Sequence, residues 1–206
     1  VFESASLKLL AITGELGDDR HAFVARAANV VRGGATMLQL RLKDENPRTI
    51  VEVAHALLAL IPRSVPLIIN DRVDVALAAG AAGTHLGADD LPVAAARRIA
   101  PPGFIIGASV GCDAEVAGSR GADYVGIGPI FTTSSKPDAG AAIGPEEFTR
   151  LAALCGLPAV AIGGITSLNA RDAIAAGANG VAVVSAIFDA ADPEAAAREL
   201  LASMES

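Results

Sequence analysis

A glutamine and two cations stand at alternate positions in Gln39-Leu40-Arg41-Leu42-Lys43. In an extended segment alternate side chains point the same way, so an amide, a guanidinium and an ammonium converge. That composition makes an anion clamp, with Arg suited to forked contacts on phosphate, although a solvated strand end reads the same way. Further on, Asn70-Asp71-Arg72 follows the apolar Leu67-Ile68-Ile69, and His85-Leu86-Gly87-Ala88-Asp89-Asp90 supplies a second acidic site. Carboxylates from two neighbouring loops, beside cations, suit a hard divalent ion such as Mg²⁺, with Asp71 and Asp90 as its ligands. Each aspartate is equally readable as a helix N-cap, Asp71 ahead of 72–79 and Asp90 ahead of Leu91-Pro92. His85 has the chemistry of a base but is read as a packed, hydrogen-bonded histidine.

Three more segments share the theme of anion binding. Ser109 follows the apolar-rich run 105–108. Gly126-Ile127-Gly128-Pro129-Ile130-Phe131-Thr132-Thr133-Ser134-Ser135-Lys136 is a long hydroxyl-rich loop ending in a cation, suited to folding over an anion. Gly163-Gly164-Ile165 and Val184-Ser185-Ala186 offer small residues whose backbone N–H groups can meet a phosphate. Two anion sites result, one cationic and metal-assisted, one lined by backbone. Two phosphorylated ligands, or one long one, fit them.

These segments need a scaffold that brings them to one place. Short apolar or β-branched runs at 8–12, 36–40, 66–69, 83–86, 105–108, 124–127, 159–162 and 180–184 alternate with amphipathic helical stretches. Asn46-Pro47, Gly144-Pro145-Glu146-Glu147 and Asp192-Pro193-Glu194 open helices. Gly33, Gly80, Gly121 and Gly177 are placed as left-handed residues just past helix ends. Strict βα alternation implies a parallel sheet with right-handed crossovers. Eight units lacking a Gly-x-Gly-x-x-Gly turn favour a closed (β/α)8 TIM barrel over an open doubly wound sheet. Every chemical segment above then falls at the C-terminal end of a strand, where barrel active sites are built. The expected organisation is one domain over 1–206.

Composition narrows the partners. The chain has 206 residues, 52 % of them hydrophobic, with one Tyr, no Trp and a net charge of −7. Such a surface lacks the basic clusters and stacking aromatics of nucleic-acid binders and repels anionic membranes. No apolar run approaches the ~20 residues of a membrane span, and the first residues lack the basic start of a signal peptide. Cys112 and Cys155 fall in different units without a Cys-x-x-Cys partner, which favours free thiols in the cytoplasm.

The motifs together resemble the thiamine-phosphate synthase family over nearly the whole chain. The stretches that carry the resemblance are Gln39-Leu40-Arg41-Leu42-Lys43-Asp44, Ile69-Asn70-Asp71, the 85–92 segment, Ile106-Gly107-Ala108-Ser109, 123–131 with Lys136, Ala161-Ile162-Gly163-Gly164-Ile165 and 182–187. The resemblance implies coupling of hydroxymethylpyrimidine diphosphate with hydroxyethylthiazole phosphate, giving thiamine phosphate and pyrophosphate. It implies that Gln39, Arg41, Lys43, Asn70 and Lys136 contact the pyrimidine diphosphate, with Ser109 beside the diphosphate and pyrimidine. Asp71 and Asp90 would hold Mg²⁺, while Thr133, Ser135, Gly164, Val184 and Ser185 would meet the thiazole phosphate side. Lys136, Ser109 and Arg41 are the residues expected to carry the chemical step. That step, departure of pyrophosphate and capture of a methylene cation by the thiazole nitrogen, needs charge stabilisation and positioning but no protein nucleophile. The chain departs from the family pattern at Gly111, where His is common, at Ala88, where Gln is usual, and at Thr132-Thr133-Ser134-Ser135-Lys136, usually Pro-Thr-x-Thr-Lys. A thiazole tautomerase-like paralogue and a non-catalytic phosphate-binding barrel are the alternatives. The former tends to lose the Asn-Asp pair and strand-4 acidic motif, both retained here.

Overall fold

In the computed structural model, which describes residues 2–133 and 140–205, eight parallel strands close into a barrel in sequence order. The strands are β1 (Leu9–Ile12), β2 (Met37–Leu40), β3 (Leu67–Asn70), β4 (Gly83–Leu86), β5 (Ile105–Val110), β6 (Tyr124–Ile127), β7 (Ala159–Ile162) and β8 (Gly180–Val183). The helices are α1 (Arg20–Arg32), α2 (Pro47–Leu60), α3 (Val73–Ala79), α4 (Val93–Ile99), α5 (Asp113–Val116), α6 (Gly144–Cys155), α7 (Ala170–Ala175), α8 (Ser185–Phe188) and α9 (Pro193–Glu205). The expected (β/α)8 barrel is therefore the observed fold, with α8 added as a short helix after β8. Strand β5 runs two residues beyond the expected end because Ser109 and Val110 pair with Gly126 and Ile127 of β6. Among the described residues no helix is long and apolar enough to cross a membrane.

Period-two alternation sorts each strand between two cores. Leu10 and Ile12 of β1, Met37, Ile68, Tyr124, Val160 and Ala182 point into the barrel and pack with Leu7. Their neighbours Leu9, Ala11, Leu38, Leu40, Ile69, Val125 and Val181 face outward under the helices. Both faces are thus buried, the rule for parallel sheets clothed by helices.

Local signals set most of the helix ends. The Asn46 side chain accepts from Thr49 N–H at 3.1 Å ahead of Pro47, and Asp192 accepts from Ala195 N–H at 3.0 Å ahead of α9. Gly80, Gly121 and Gly177 have positive φ as expected. Gly33 does not: its φ is −69°, and the left-handed residue is Gly34 at φ 111°. Helix α1 ends one residue later than the first glycine suggests, since Gly33 N–H still donates to Asn29 O at 2.9 Å.

Arg97 of α4 ties the N-terminal end of the barrel together. Its guanidinium donates to Phe104 O at 2.7 Å, Gly121 O at 3.0 Å and the Asp123 carboxylate at 2.8 Å, and Asp123 also accepts from Ile106 N–H. Arg97→Met is expected to lower unfolding free energy by ~1–3 kcal/mol, the scale of losing charge-assisted hydrogen bonds. The ligand-facing end should be untouched, so urea midpoints should fall while turnover stays native.

Candidate functional site

On β2 to β5 the inward positions at the C-terminal strand ends are polar, while Ile12 of β1 and Ile162 of β7 keep that level apolar on the other side. By alternation from Met37, Ile68, Gly107 and Tyr124, the side chains of Gln39, Asn70 and Ser109 face the barrel interior, and His85 sits at the same level as Asn70. They open into a cavity of about 800 Å³ at the barrel mouth. Gln39, Arg41, Lys43, Asn70, Asp71, Asp90, Ser109, Thr133, Gly164, Val184 and Ser185 all line it. Ser135 and Lys136 lie outside the described residues.

Arg41 and Lys43 lie just beyond β2 rather than within it. Their approach is set by Thr13, a fully buried residue after β1 that the sequence reading did not single out. Thr13 N–H donates to Gln39 O at 2.9 Å, and its hydroxyl accepts the Arg41 N–H at 2.9 Å. A hydroxyl one residue past a strand was its only sequence signal.

Asp71 and Asp90 meet beside these cations, past the ends of the neighbouring strands β3 and β4. Neither is a helix cap: α3 is capped at Arg72 and α4 at Pro92, both without side-chain capping bonds. Asp90 instead folds back to accept the Gly87 N–H at 2.6 Å. Asp71 has φ 63°, the one non-glycine residue with positive φ among those described, and its N–H donates to His85 O at 2.8 Å. Asp tolerates the left-handed region better than most residues, yet it is strained there, and such strain gathers at functional sites. Burial, contact with the Asp90 carboxyl and its negative charge push the Asp71 pKa up to about 6, against the opposing pull of Lys43 and Arg41. Lys43 Nζ lies 3.8 Å from the Asp71 carboxylate.

Two close carboxylates that repel one another form a hard oxygen donor set. Among the described residues no group of three or more His, Cys, Asp or Glu is placed to hold a metal ion. A pair suits Mg²⁺ better than Ca²⁺ or Zn²⁺, because Mg²⁺ is commonly held by one or two carboxylates with water and substrate phosphate completing the shell.

His85 is packed and hydrogen-bonded, as read from the sequence. Its Nδ1 lies 3.0 Å from the Tyr124 hydroxyl and its Nε2 3.0 Å from Ser109 Oγ. Burial pushes its pKa down to about 4, against the pull of Asp90, so the ring is neutral near pH 7. On the far side, Gly164 (φ 65°) leaves no room for a side chain, since a Cβ would lie 2.3 Å from Thr132 O. Two of the family departures, Ala88 and Gly111, line the same cavity. The Gly111 N–H donates to the Glu115 carboxylate at 2.6 Å, bringing to the wall an acid that the sequence reading missed. Cys112 and Cys155 are free thiols.

Comparison with known proteins identifies relatives of the chain. The family described as thiamine monophosphate synthase matches residues 9–187. The thiamine-phosphate synthase of Methanoculleus marisnigri is 51 % identical over 87 % of this chain and 86 % of its own length. That of Xanthobacter autotrophicus is 53 % identical over 84 % of each chain. Among solved structures, thiamine phosphate pyrophosphorylase from Pyrococcus furiosus superposes with a TM-score of 0.86 at 38 % identity, covering 98 % of this chain and 97 % of that one. The chain belongs to the thiamine monophosphate synthase family.

Proposed function

We propose that the cavity joins hydroxymethylpyrimidine diphosphate to hydroxyethylthiazole phosphate in a Mg²⁺-dependent transfer that releases pyrophosphate. The observation that carries this reading is the facing pair Asp71 and Asp90, with Arg41 and Lys43 beside it in one cavity. Diphosphate is the ligand that such a mixed site suits, because cations and a carboxylate-held divalent ion both take phosphate oxygens.

In the reaction the C–O bond between the pyrimidine methylene and the diphosphate breaks, and a C–N bond to the thiazole forms. The electron pair of the broken bond leaves with pyrophosphate, so the barrier lies in stabilising that charge. Arg41 and Lys43 draw on the departing oxygens, Asn70 and Gln39 orient the pyrimidine, and Ser109 donates a hydrogen bond at the diphosphate. Lys136 is assigned the same leaving-group role, and Ser135 joins Thr133, Gly164, Val184 and Ser185 in holding the thiazole phosphate. Asp71 and Asp90 would hold Mg²⁺, whose chemistry when bound would be further charge neutralisation on the diphosphate. Alignment of the two substrates replaces a protein nucleophile. The acidic surface and free thiols support a cytoplasmic enzyme of one domain whose partners are small phosphorylated molecules, with neither nucleic acid nor membrane among them.

The first test mixes purified protein, Mg²⁺ and both substrates. Pyrophosphate release that requires both, with thiamine phosphate formed in equal amount, is the expected result. Binding without release would overturn the synthase reading in favour of a tautomerase-like or binding barrel. Excess EDTA should abolish turnover and added Mg²⁺ should restore it; unchanged turnover would remove the metal role.

Asp71→Asn is expected to lower kcat by ~100-fold or more, because it weakens the hold on the Mg²⁺ that would neutralise the leaving group's charge, which is greatest in the transition state. Asn tolerates the left-handed backbone, so the loss isolates the charge. Relief of repulsion from Asp90 should make metal-free Asp71→Asn more stable than the native chain by ~1 kcal/mol in thermal melts. Lys136→Ala should show a similar fall in kcat with native stability.

Thr13→Val should lower kcat/KM by ~10-fold by releasing the Arg41 backbone from its hydrogen bond, while Thr13→Ser should remain near native. Equal rates in the two variants would show that the hydroxyl does not position Arg41.

A further inference from the structure

The inside of this barrel holds an uncommon pair of rings. Tyr124 is the chain's one tyrosine and is fully buried on β6, with its ring 5.4 Å from that of His85 and 5.8 Å from that of Phe2. Glycines on β5 and β6 give the rings their space. A Cβ at Gly107 would fall 2.3 Å from the Tyr124 ring and 2.5 Å from His85 Nδ1, and one at Gly126 would fall 3.2 Å from His85 Cε1. An apolar layer would fill this level of the barrel without such accommodation. The polar atoms instead form a line. Gln39 reaches the Tyr124 hydroxyl, which is 3.0 Å from His85 Nδ1, and His85 Nε2 is 3.0 Å from Ser109 Oγ at the cavity wall.

We propose that His85 is a positioning residue for the coupling reaction, the link through which Gln39 and Tyr124 aim the Ser109 hydroxyl at the substrate diphosphate. This rests on the placement of Ser109 beside the diphosphate given above.

The direction of the line follows from proton counting. A neutral imidazole has one donor and one acceptor. Tyr124 is fully buried and keeps its phenol proton, and both ring nitrogens of His85 face hydroxyls, so the ring needs one donor and one acceptor there. Two polarities then exist. If Tyr124 donates to Nδ1, the Nε2–H donates to Ser109 Oγ, and the serine proton is left to donate into the cavity. If Nδ1–H donates to Tyr124, the serine proton is taken up by Nε2, and Ser109 turns only lone pairs towards an anion. A diphosphate selects the first arrangement. The Gln39 amide then donates to the phenol oxygen, and every donor in the line points towards the ligand.

The test combines a spectroscopic signature with a mutant cycle. Imidazole ¹⁵N shifts of the native protein near neutral pH should report His85 as the Nε2–H tautomer, and Tyr124→Phe should lose that preference. Tyr124→Phe keeps the ring and its stacking but removes one hydroxyl. It should lower kcat ~10-fold while changing KM for the pyrimidine diphosphate by less than ~3-fold. In a Ser109→Ala background the same change should cost nothing further, since the line then ends on no hydroxyl. If Tyr124→Phe does not fold by circular dichroism, His85→Asn takes its place in the cycle. An Nδ1–H tautomer, a Tyr124→Phe rate within ~2-fold of native, or losses that multiply with Ser109→Ala would each overturn the positioning role. A Ser109→Ala variant with native turnover would instead remove Ser109 from the diphosphate, and the positioning role with it. A depressed Ser109→Ala rate with fully multiplying losses separates the two failures.

Discussion

Because every strand of a closed parallel barrel is covered on both faces, a polar side chain pointing inward must find a partner or an opening to water. Unpartnered, it would carry a desolvation cost of ~1–3 kcal/mol. The chain meets this constraint by grading its interior. Leu10, Met37, Ile68, Val160 and Ala182 fill the barrel with carbon, Tyr124 and His85 turn apolar rings into a hydrogen-bonded layer, and Gln39, Asn70 and Ser109 open onto the cavity. No described buried side-chain polar atom is left without a partner. The position of the site follows from this gradient together with strand direction.

At the mouth the charges are arranged against the comfort of the folded chain. Asp71 and Asp90 repel one another, and Asp71 holds a backbone conformation that few residues accept. Arg41 and Lys43, on the adjoining strand end, offset part of that repulsion. The described cavity wall sets the cations Arg41 and Lys43 against Asp71, Asp89, Asp90 and Glu115, so a divalent cation would have to balance that charge before a diphosphate is held there. The strain is local, since the barrel beneath is held by separate contacts such as those of Arg97.

Much of this was legible in the sequence because it is local in sequence. Strand cores, the Asn46-Pro47 and Asp192 caps and the segments at strand ends are written in short runs, and eight strands appeared where they were expected. Boundaries were not: β3 includes Asn70 and β5 includes Ser109 and Val110 because their ladder partners lie on other strands. The conformation at Gly33 and Gly34 depended on one extra helical hydrogen bond, which composition cannot distinguish. Asp71 and Asp90 stayed open between capping and ligation because an aspartate before a helix looks the same either way. Geometry removed the capping reading, since α3 and α4 are capped at Arg72 and Pro92 and Asp90 turns back to Gly87. Tyr124 and Thr13 were missed for the same reason. Each matters through a partner 39 or 28 residues away, and nothing around either residue signals that contact.

The stacked Phe2 and Tyr124, with Leu7, Leu10 and Met37 packed beside them, close the barrel from below. A vessel with a solid floor imposes traffic rules on its contents. Whatever lies against the floor must arrive before anything that lies above it, and departs only after the upper occupant has gone. For the proposed seat of the pyrimidine against Gln39 and Ser109, the depth of the barrel would set an order of addition.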